Sequence, residues 1–232
     1  MIFNPLRRGG RPPRTIADLR DRLVAEVEAE VRETSRYLGK DALAPAVVAA
    51  LAKVPRQLFV PPEVEHLAYE NAPLGIGYRQ TISQPYIVAV MTDMLEPRPT
   101  GVVLEIGTGS GYQAAVLAEL VKQVYSIEIV PELATSAAER LDRLGYHNVQ
   151  VREGDGALGW PEHGPYDGIL VTAAAPEIPE ALLDQLRPGR RLVAPVGEAG
   201  EHQELMVVEK GPRGEMRERV TLPVAFVPLR AG

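Results

Sequence analysis

Three glycines at alternate positions, in Val103-Leu-Glu-Ile-Gly107-Thr-Gly109-Ser-Gly111-Tyr112, form the segment of this chain richest in chemical meaning. A buried-strand run turns there through bare backbone into a helix, and glycine suits both tight turns and close approach of a ligand. A dinucleotide fingerprint requires G-x-G-x-x-G to seat a pyrophosphate, but this loop reads G-x-G-x-G and continues with Tyr112. The spacing argues against NAD. An adenosyl ligand without pyrophosphate needs no such cradle, and an acid at the end of the next strand can hold its ribose. Glu128 stands at that place. Alone, the loop is compatible with a structural turn and Glu128 with a solvated strand end; one strand apart, they predict a nucleoside-type site.

Two further turns fall where open α/β sheets bind ligands, at carboxyl ends of predicted strands. Gly154-Asp155-Gly156 can offer a carboxylate to an amine such as that of adenine, or form an Asx turn. Thr172-Ala-Ala-Ala-Pro176 leaves room above the sheet, or simply packs a helix closely. Upstream, Gln80-Thr-Ile-Ser83-Gln-Pro85-Tyr86 precedes a helix with Ile87, Val90, Met91 and Met94 on one face. Ser83 is placed to be its N-cap, and Pro85 fits the first turn. Free amides and a hydroxyl at such a start also make a carboxylate cradle. His66, His147, His163 and His202 lie outside these motifs without metal-ligand spacing, so no metal is expected. Trp160 reads as packing, and neither a G-x-S-x-G elbow nor a P-loop lysine occurs.

The elements that must position these residues follow from periodicity. Beyond Gly101, β-branched runs alternate with helical segments, the pattern of βαβ units and a parallel sheet. Strands are predicted at 102–106, 124–129, 149–152, 168–172, 191–196, 205–209 and 220–227, with helices at 112–121, 131–144 and 179–186. Only Lys210 to Glu218 separate the last two strands, too few for a crossover helix, so they should form an antiparallel hairpin. Before Gly101, Thr15-Ile-Ala-Asp18 is a capping-box-like start. Leu19, Leu23, Val27 and Val31 then line one face, leaving Asp21, Arg22, Glu26, Glu28, Glu30 and Arg32 to water. Gly39 should close this helix, and Asp41 should open a second one reaching Lys53; residues 54–77 read as irregular.

The chain of 232 residues carries a formal net charge of −6 and Cys 0, which excludes disulfides, thiolate metal sites and a cysteine nucleophile. Arg7, Arg8, Arg11 and Arg14 crowd an acid-free arm with Gly9, Gly10, Pro12 and Pro13, expected as a basic flexible tail at 1–14. The remainder is therefore still more acidic, and nucleic acid is not an expected partner. Apolar stretches fall well short of the ~20 residues that span a bilayer, and no apolar signal core opens the chain. A cytoplasmic protein without a membrane partner is expected. Residues 15–232 should make a single domain, with 15–100 as an N-terminal helical, substrate-side segment and 101–232 as the ligand-binding α/β core.

Taken together these motifs resemble the protein-L-isoaspartate O-methyltransferases, from about Gly39 to Leu229. The anchors are Val54-Pro-Arg-Gln-Leu-Phe-Val-Pro61, Gln80-Thr-Ile-Ser-Gln-Pro85, Leu104-Glu-Ile-Gly-Thr-Gly-Ser-Gly-Tyr-Gln113, Gly154-Asp-Gly156, Tyr166-Asp-Gly-Ile-Leu-Val-Thr-Ala-Ala-Ala-Pro176, Arg187-Pro-Gly189 and Phe226-Val-Pro-Leu229. Many S-adenosylmethionine enzymes share the glycine loop, whereas Thr81-Ile-Ser83 and the closing block are more particular to this family. Tyr78-Arg79 departs from the family, where a small residue often precedes the glutamine.

The resemblance implies a Rossmann-like, seven-stranded methyltransferase sheet, mostly parallel with an antiparallel last strand, helices on both faces and an N-terminal helical segment. It implies S-adenosyl-L-methionine as cofactor and S-adenosyl-L-homocysteine as product. Glu105, Gly107, Gly109 and Gly111 would hold it, with Glu128 on the ribose, Asp155 and Gly156 near the adenine, and Gln80, Thr81, Ile82 and Ser83 closing over it. Ser83 matches the catalytic serine, and Ile82 with Ser83 would bind substrate. The implied substrate is the free α-carboxylate of isoaspartyl residues in damaged proteins and peptides, whose methyl ester collapses to a succinimide. Such a carboxyl has a pKa of ~3.3–3.7 and needs no general base; Ser83 would orient it. The family expectation is a monomer. A small-molecule methyltransferase on the same fold is the alternative, and a non-catalytic adenosyl-binding module a third reading.

Overall fold

Thr15 begins the first helix as its spacing to Asp18 predicts. Its Oγ1 accepts from the Asp18 N–H at 3.1 Å, and the Asp18 carboxylate accepts from the Thr15 N–H at 2.8 Å. A computed structural model of the chain describes residues 15–198 and 200–230, so the arginine arm of 1–14 lies outside the described residues. Helix α1 (Ile16–Glu33) buries Leu23, Val27 and Val31. The single turn α2 (Ser35–Leu38) follows Thr34 and stops at Gly39, whose φ of 74° is the left-handed conformation that ends helices.

Helix α3 (Pro45–Lys53) starts later than the expected Asp41. Pro45 presets the first-turn dihedral, and the Ala44 N–H before it goes to Asp93 Oδ1 at 2.7 Å. Residues 56–59 and 62–67 form 3-10 turns. Next comes a short antiparallel hairpin that the sequence reading missed, β1 (Leu74–Gly77) and β2 (Gln80–Ile82), turned by Tyr78 and Arg79 at φ 51° and 59°. Helix α4 (Pro85–Leu95) has Gln84 at its N-cap position, not Ser83 as expected, and no side chain caps it. Pro85 takes the first helical position, which moves the cap to the residue before it. Glu30, expected in water, is half-buried and accepts from Asn71 at 2.7 Å and Gln84 at 3.2 Å. Burial raises its carboxyl pKa above the ordinary value against those hydrogen bonds.

Strands β3 (Val102–Ile106), β4 (Gln123–Glu128), β5 (Val149–Glu153), β6 (Gly168–Val171) and β7 (Arg190–Val196) pair in parallel. Helices α5 (Tyr112–Ala118), α6 (Pro131–Arg143) and α7 (Glu180–Asp184) lie between them in sequence. β8 (Gln203–Lys210) pairs antiparallel with β7, and the last strand β9 (Met216–Val224) pairs antiparallel with β8, forming the expected hairpin. The sheet order is β5-β4-β3-β6-β7-β8-β9. Connections leave β3 toward β4 on one side and reach β6 on the other, so the loop after β3 sits at the switch point where such sheets bind ligands.

Strand alternation divides the core between the two faces of the sheet. Val103, Leu170 and Val193 join α1, α3, α4 and α5 in one apolar cluster, while Leu104, Ile106, Ile169 and Leu192 join Leu182 and Leu186 in another. Trp160 packs edge-on to Tyr125 at 5.4 Å, as its packing reading expects. The N-terminal helices thus share a core with the sheet.

Candidate active site

Gly107, Gly109 and Gly111 have φ of 92°, 54° and 85°, a region costly for any residue with a Cβ. At Gly107 a Cβ would also run into Thr172 Oγ1, which donates to Gly107 O at 2.7 Å and lies within 3.0 Å of Ile106 O. Thr172, from the turn after β6, therefore braces the loop after β3. A Cβ on Gly156 would collide with the Ile106 side chain. These glycines are required by close packing at the carboxyl edge of the sheet.

Glu128 ends β4 with its side chain turned to that loop. Its Oε2 accepts from the Gly109 N–H at 2.8 Å and its Oε1 from the Val130 N–H at 3.0 Å. A carboxylate has about four lone-pair sites, so each oxygen keeps capacity for a hydroxyl. Beneath the loop, Thr108 and Ser126 share a hydroxyl hydrogen bond of 2.6 Å, and Ser126 donates to Glu105 Oε2. Glu105 is 0% exposed and its Oε1 has no partner among the described residues. Burial pushes its carboxyl up to about 8, against the Ser126 hydrogen bond and with help from the Glu128 charge.

A cleft of about 770 Å³, counting its open mouth, runs above these strand ends. Gln80, Thr81, Ile82 and Ser83 form one wall; Gly107, Gly109, Glu128 and Gly156 form the floor; Val227 to Arg230 border it. A second groove of about 990 Å³ on the same measure lies between Pro73, Gln84, Ile87 and the Pro223–Val227 segment. Thr81, Ser83, Thr172 and Val227 line both. The Ser83 hydroxyl has no partner among the described residues, so it is available at the junction.

Most of the expected site residues therefore converge on one cleft, with three departures. Glu105 is absent from the cleft wall, because strand alternation points it beneath the glycine loop, where it reaches Thr108 through Ser126. Asp155 spends Oδ1 capping the Ala157 N–H at 2.8 Å, the Asx-turn reading, and Gly156 is the member of that turn on the cleft. Gly111 is the N-cap of α5 behind the lining, where a Cβ would stand 3.2 Å from Leu141. No histidine lines either cavity, and among the described residues no group of three His, Cys, Asp or Glu could hold a metal.

The family model for protein-L-isoaspartate(D-aspartate) O-methyltransferase matches residues 33–232. The chain belongs to that family. Among isoaspartate O-methyltransferases similar to it, one from Syntrophobacter fumaroxidans is 60% identical over 213 residues, covering 92% of this chain and 86% of its own. Another, from Gloeobacter violaceus, is 56% identical over 186 residues, covering 80% and 90%. A solved protein-L-isoaspartate O-methyltransferase superposes with a TM-score of 0.78 at 27% identity, covering 92% of this chain and 66% of that one. The fold also matches a Plasmodium falciparum protein solved with S-adenosyl-L-homocysteine, at a TM-score of 0.75 and 22% identity, covering 92% and 99%.

Two site features escaped the sequence reading of this family member. Ile76, on β1, reaches over the glycine loop, lying 3.4 Å from where a Gly109 Cβ would stand. Arg56, in the first 3-10 turn, donates to the Ser83 carbonyl at 2.8 Å. Arg56 falls within the 54–61 anchor, but neither contact could be read locally, since both depend on how residues 56–83 fold back on the sheet.

Proposed function

We propose that this chain transfers the methyl group of S-adenosylmethionine to the free α-carboxylate of L-isoaspartyl residues in damaged proteins and peptides, starting their return through a succinimide. The observation that carries the reading is the junction of the two cavities. Ser83 faces both, so a donor above the glycine loop and a carboxylate in the groove meet at its hydroxyl.

The cleft fits the donor. Its floor is bare glycine backbone, and Glu128 presents carboxylate lone pairs to ribose hydroxyls. Gln80, Thr81 and Ile82 cover it from the hairpin. When bound, S-adenosylmethionine supplies an electrophilic methyl group on a sulfonium. The remaining work belongs to the chain. The isoaspartyl carboxyl is already ionised at neutral pH, so no base is required, and neither cavity is lined by a histidine. The second groove is lined by uncharged residues only, surroundings that favour a step in which carboxylate and sulfonium charges cancel. Ser83 Oγ donates to the carboxylate and fixes its direction of attack. Alignment of reacting groups can supply up to roughly 7–11 kcal/mol, against about 1.5–3 kcal/mol for one charge-assisted hydrogen bond. Positioning is therefore the larger contribution, and Ser83 acts as an orienting donor without becoming a nucleophile.

Transfer of tritiated methyl to an isoaspartyl peptide, with its aspartyl twin as control, tests the reading. Base-labile label on the isoaspartyl peptide alone is the expected result, and label on neither peptide overturns it. The same reading takes the chain as a cytoplasmic monomer with no nucleic-acid or membrane partner. It draws on the net charge of −6 and on the lack, among the described residues, of a helix long and apolar enough to cross a membrane. Sedimentation as a dimer would refute the monomer.

A further inference from the structure

Arg56 is completely buried, yet it forms no ion pair with any carboxylate among the described residues; the polar side chains that act on it are the Tyr112 and Tyr69 phenols, and its Nε and Nη1 meet no acceptor in hydrogen-bond geometry there. Arginine is almost never fully buried unless paired, because desolvating the charge is costly. A methionine could fill comparable space without that cost, so the guanidinium must be retained for bonds that an apolar side chain cannot make. Its Nη2 donates to Ser83 O at 2.8 Å and to Ala72 O at 3.3 Å. Ala72 stands just before β1 and Ser83 just after β2. One nitrogen thus holds both ends of the hairpin whose Gln80–Ile82 strand walls the cleft and whose Ile76 lies over Gly109. The same guanidinium lies 4.8 Å from the centroid of the Tyr112 ring, at the start of α5.

We propose that Arg56 is a positioning residue for methyl transfer: it staples the two ends of the hairpin together and thereby sets the place of Ser83 between donor and substrate. The inference rests on the function proposed above. Arg56 touches neither ligand. It acts through Ser83 and the hairpin, and its freedom from any counter-ion leaves the donor nitrogen committed to these two carbonyls.

Arg56→Met and Arg56→Lys, made in the full chain, test this by amide hydrogen exchange and steady-state kinetics. In Arg56→Met, exchange across residues 74–82 accelerates at least about tenfold while β3 to β7 stay as in wild type, because local opening is freed without global unfolding. The kcat falls and the KM for S-adenosylmethionine rises, lowering kcat/KM on the order of a hundredfold, as ångström-scale misplacement of reacting groups does. Arg56→Lys keeps a cationic donor and falls between the two. Three results overturn the inference: exchange that rises evenly over the whole fold, kcat/KM within about twofold of wild type in both variants, or loss of cooperative melting in both, which would make Arg56 a core residue only. A wild-type protein inactive on isoaspartyl peptides instead defeats the proposed function, while the exchange pattern still decides for or against the staple.

Discussion

Replacing Glu105 by glutamine should change how stability depends on pH more than it changes stability at any one acidic pH. The carboxyl is fully buried, accepts one hydrogen bond from Ser126, and is pushed up to about 8 in the fold against an ordinary value of 4.5. Between those two values the folded chain holds a proton that the unfolded chain has released. Stability from this group is therefore present at low pH, is lost steadily as pH rises toward 8, and levels off beyond. Each pH unit in that window corresponds to about 1.4 kcal/mol, so from pH 5 to 8 the loss amounts to about 4 kcal/mol. Glutamine has nearly the same shape and cannot ionise. Near pH 5 the variant should match wild type within about 1 kcal/mol, since each leaves a polar atom short of a partner. By pH 8.5 it should be more stable by about 4 kcal/mol. Urea unfolding at a series of pH values reads the difference directly. A gap that stays constant across the series would refute the claim that Glu105 is protonated in the native protein.

Three other outcomes follow from the site. Gly107→Ala puts a Cβ against Thr172 Oγ1 at a φ of 92°, so calorimetry should show S-adenosylhomocysteine affinity reduced by at least about tenfold. Ser83→Ala should keep a few per cent of activity, on the order expected for one hydrogen bond to a charged group, with unchanged S-adenosylhomocysteine affinity; a methyl-serine trapped in wild type would contradict the orienting role. Because α1, α3 and α4 share an apolar cluster with the sheet, we expect residues 15–232 to melt in one transition by both circular dichroism and calorimetry.

What was legible in the sequence was whatever local pattern decides. The β3 bounds fall where they were expected, because a central parallel strand is a nearly continuous apolar run, broken here only by Glu105, with a glycine at its end. The capping box at Thr15 is likewise local. Long-range contacts decided the rest. Asp41 looks like a helix start, but Asp93, far along the chain, claims the Ala44 amide and Pro45 takes the first turn. Glu30 lies on the polar face by periodicity, yet Asn71 and Gln84 fold over it. The hairpin escaped notice because its strands are short and Tyr78-Arg79 occupies a turn that normally selects Asn-Gly. In the site, the glycine loop, Glu128 and Ser83 were readable from spacing and resemblance. The place of Glu105 was not, since Ile106 beside it reaches the cleft while its own side chain points the other way.

Four residues that border both cavities make the occupancy of one a condition on the other. Any order that the first ligand imposes on Thr81 and Ser83 is already in place for the second, so their affinities are linked reciprocally. Spent donor should then tighten isoaspartyl peptide binding, and peptide should tighten spent donor by an equal factor. Reciprocity of that kind would slow the departure of S-adenosylhomocysteine while damaged polypeptide is plentiful, making turnover self-limiting when repair demand is highest.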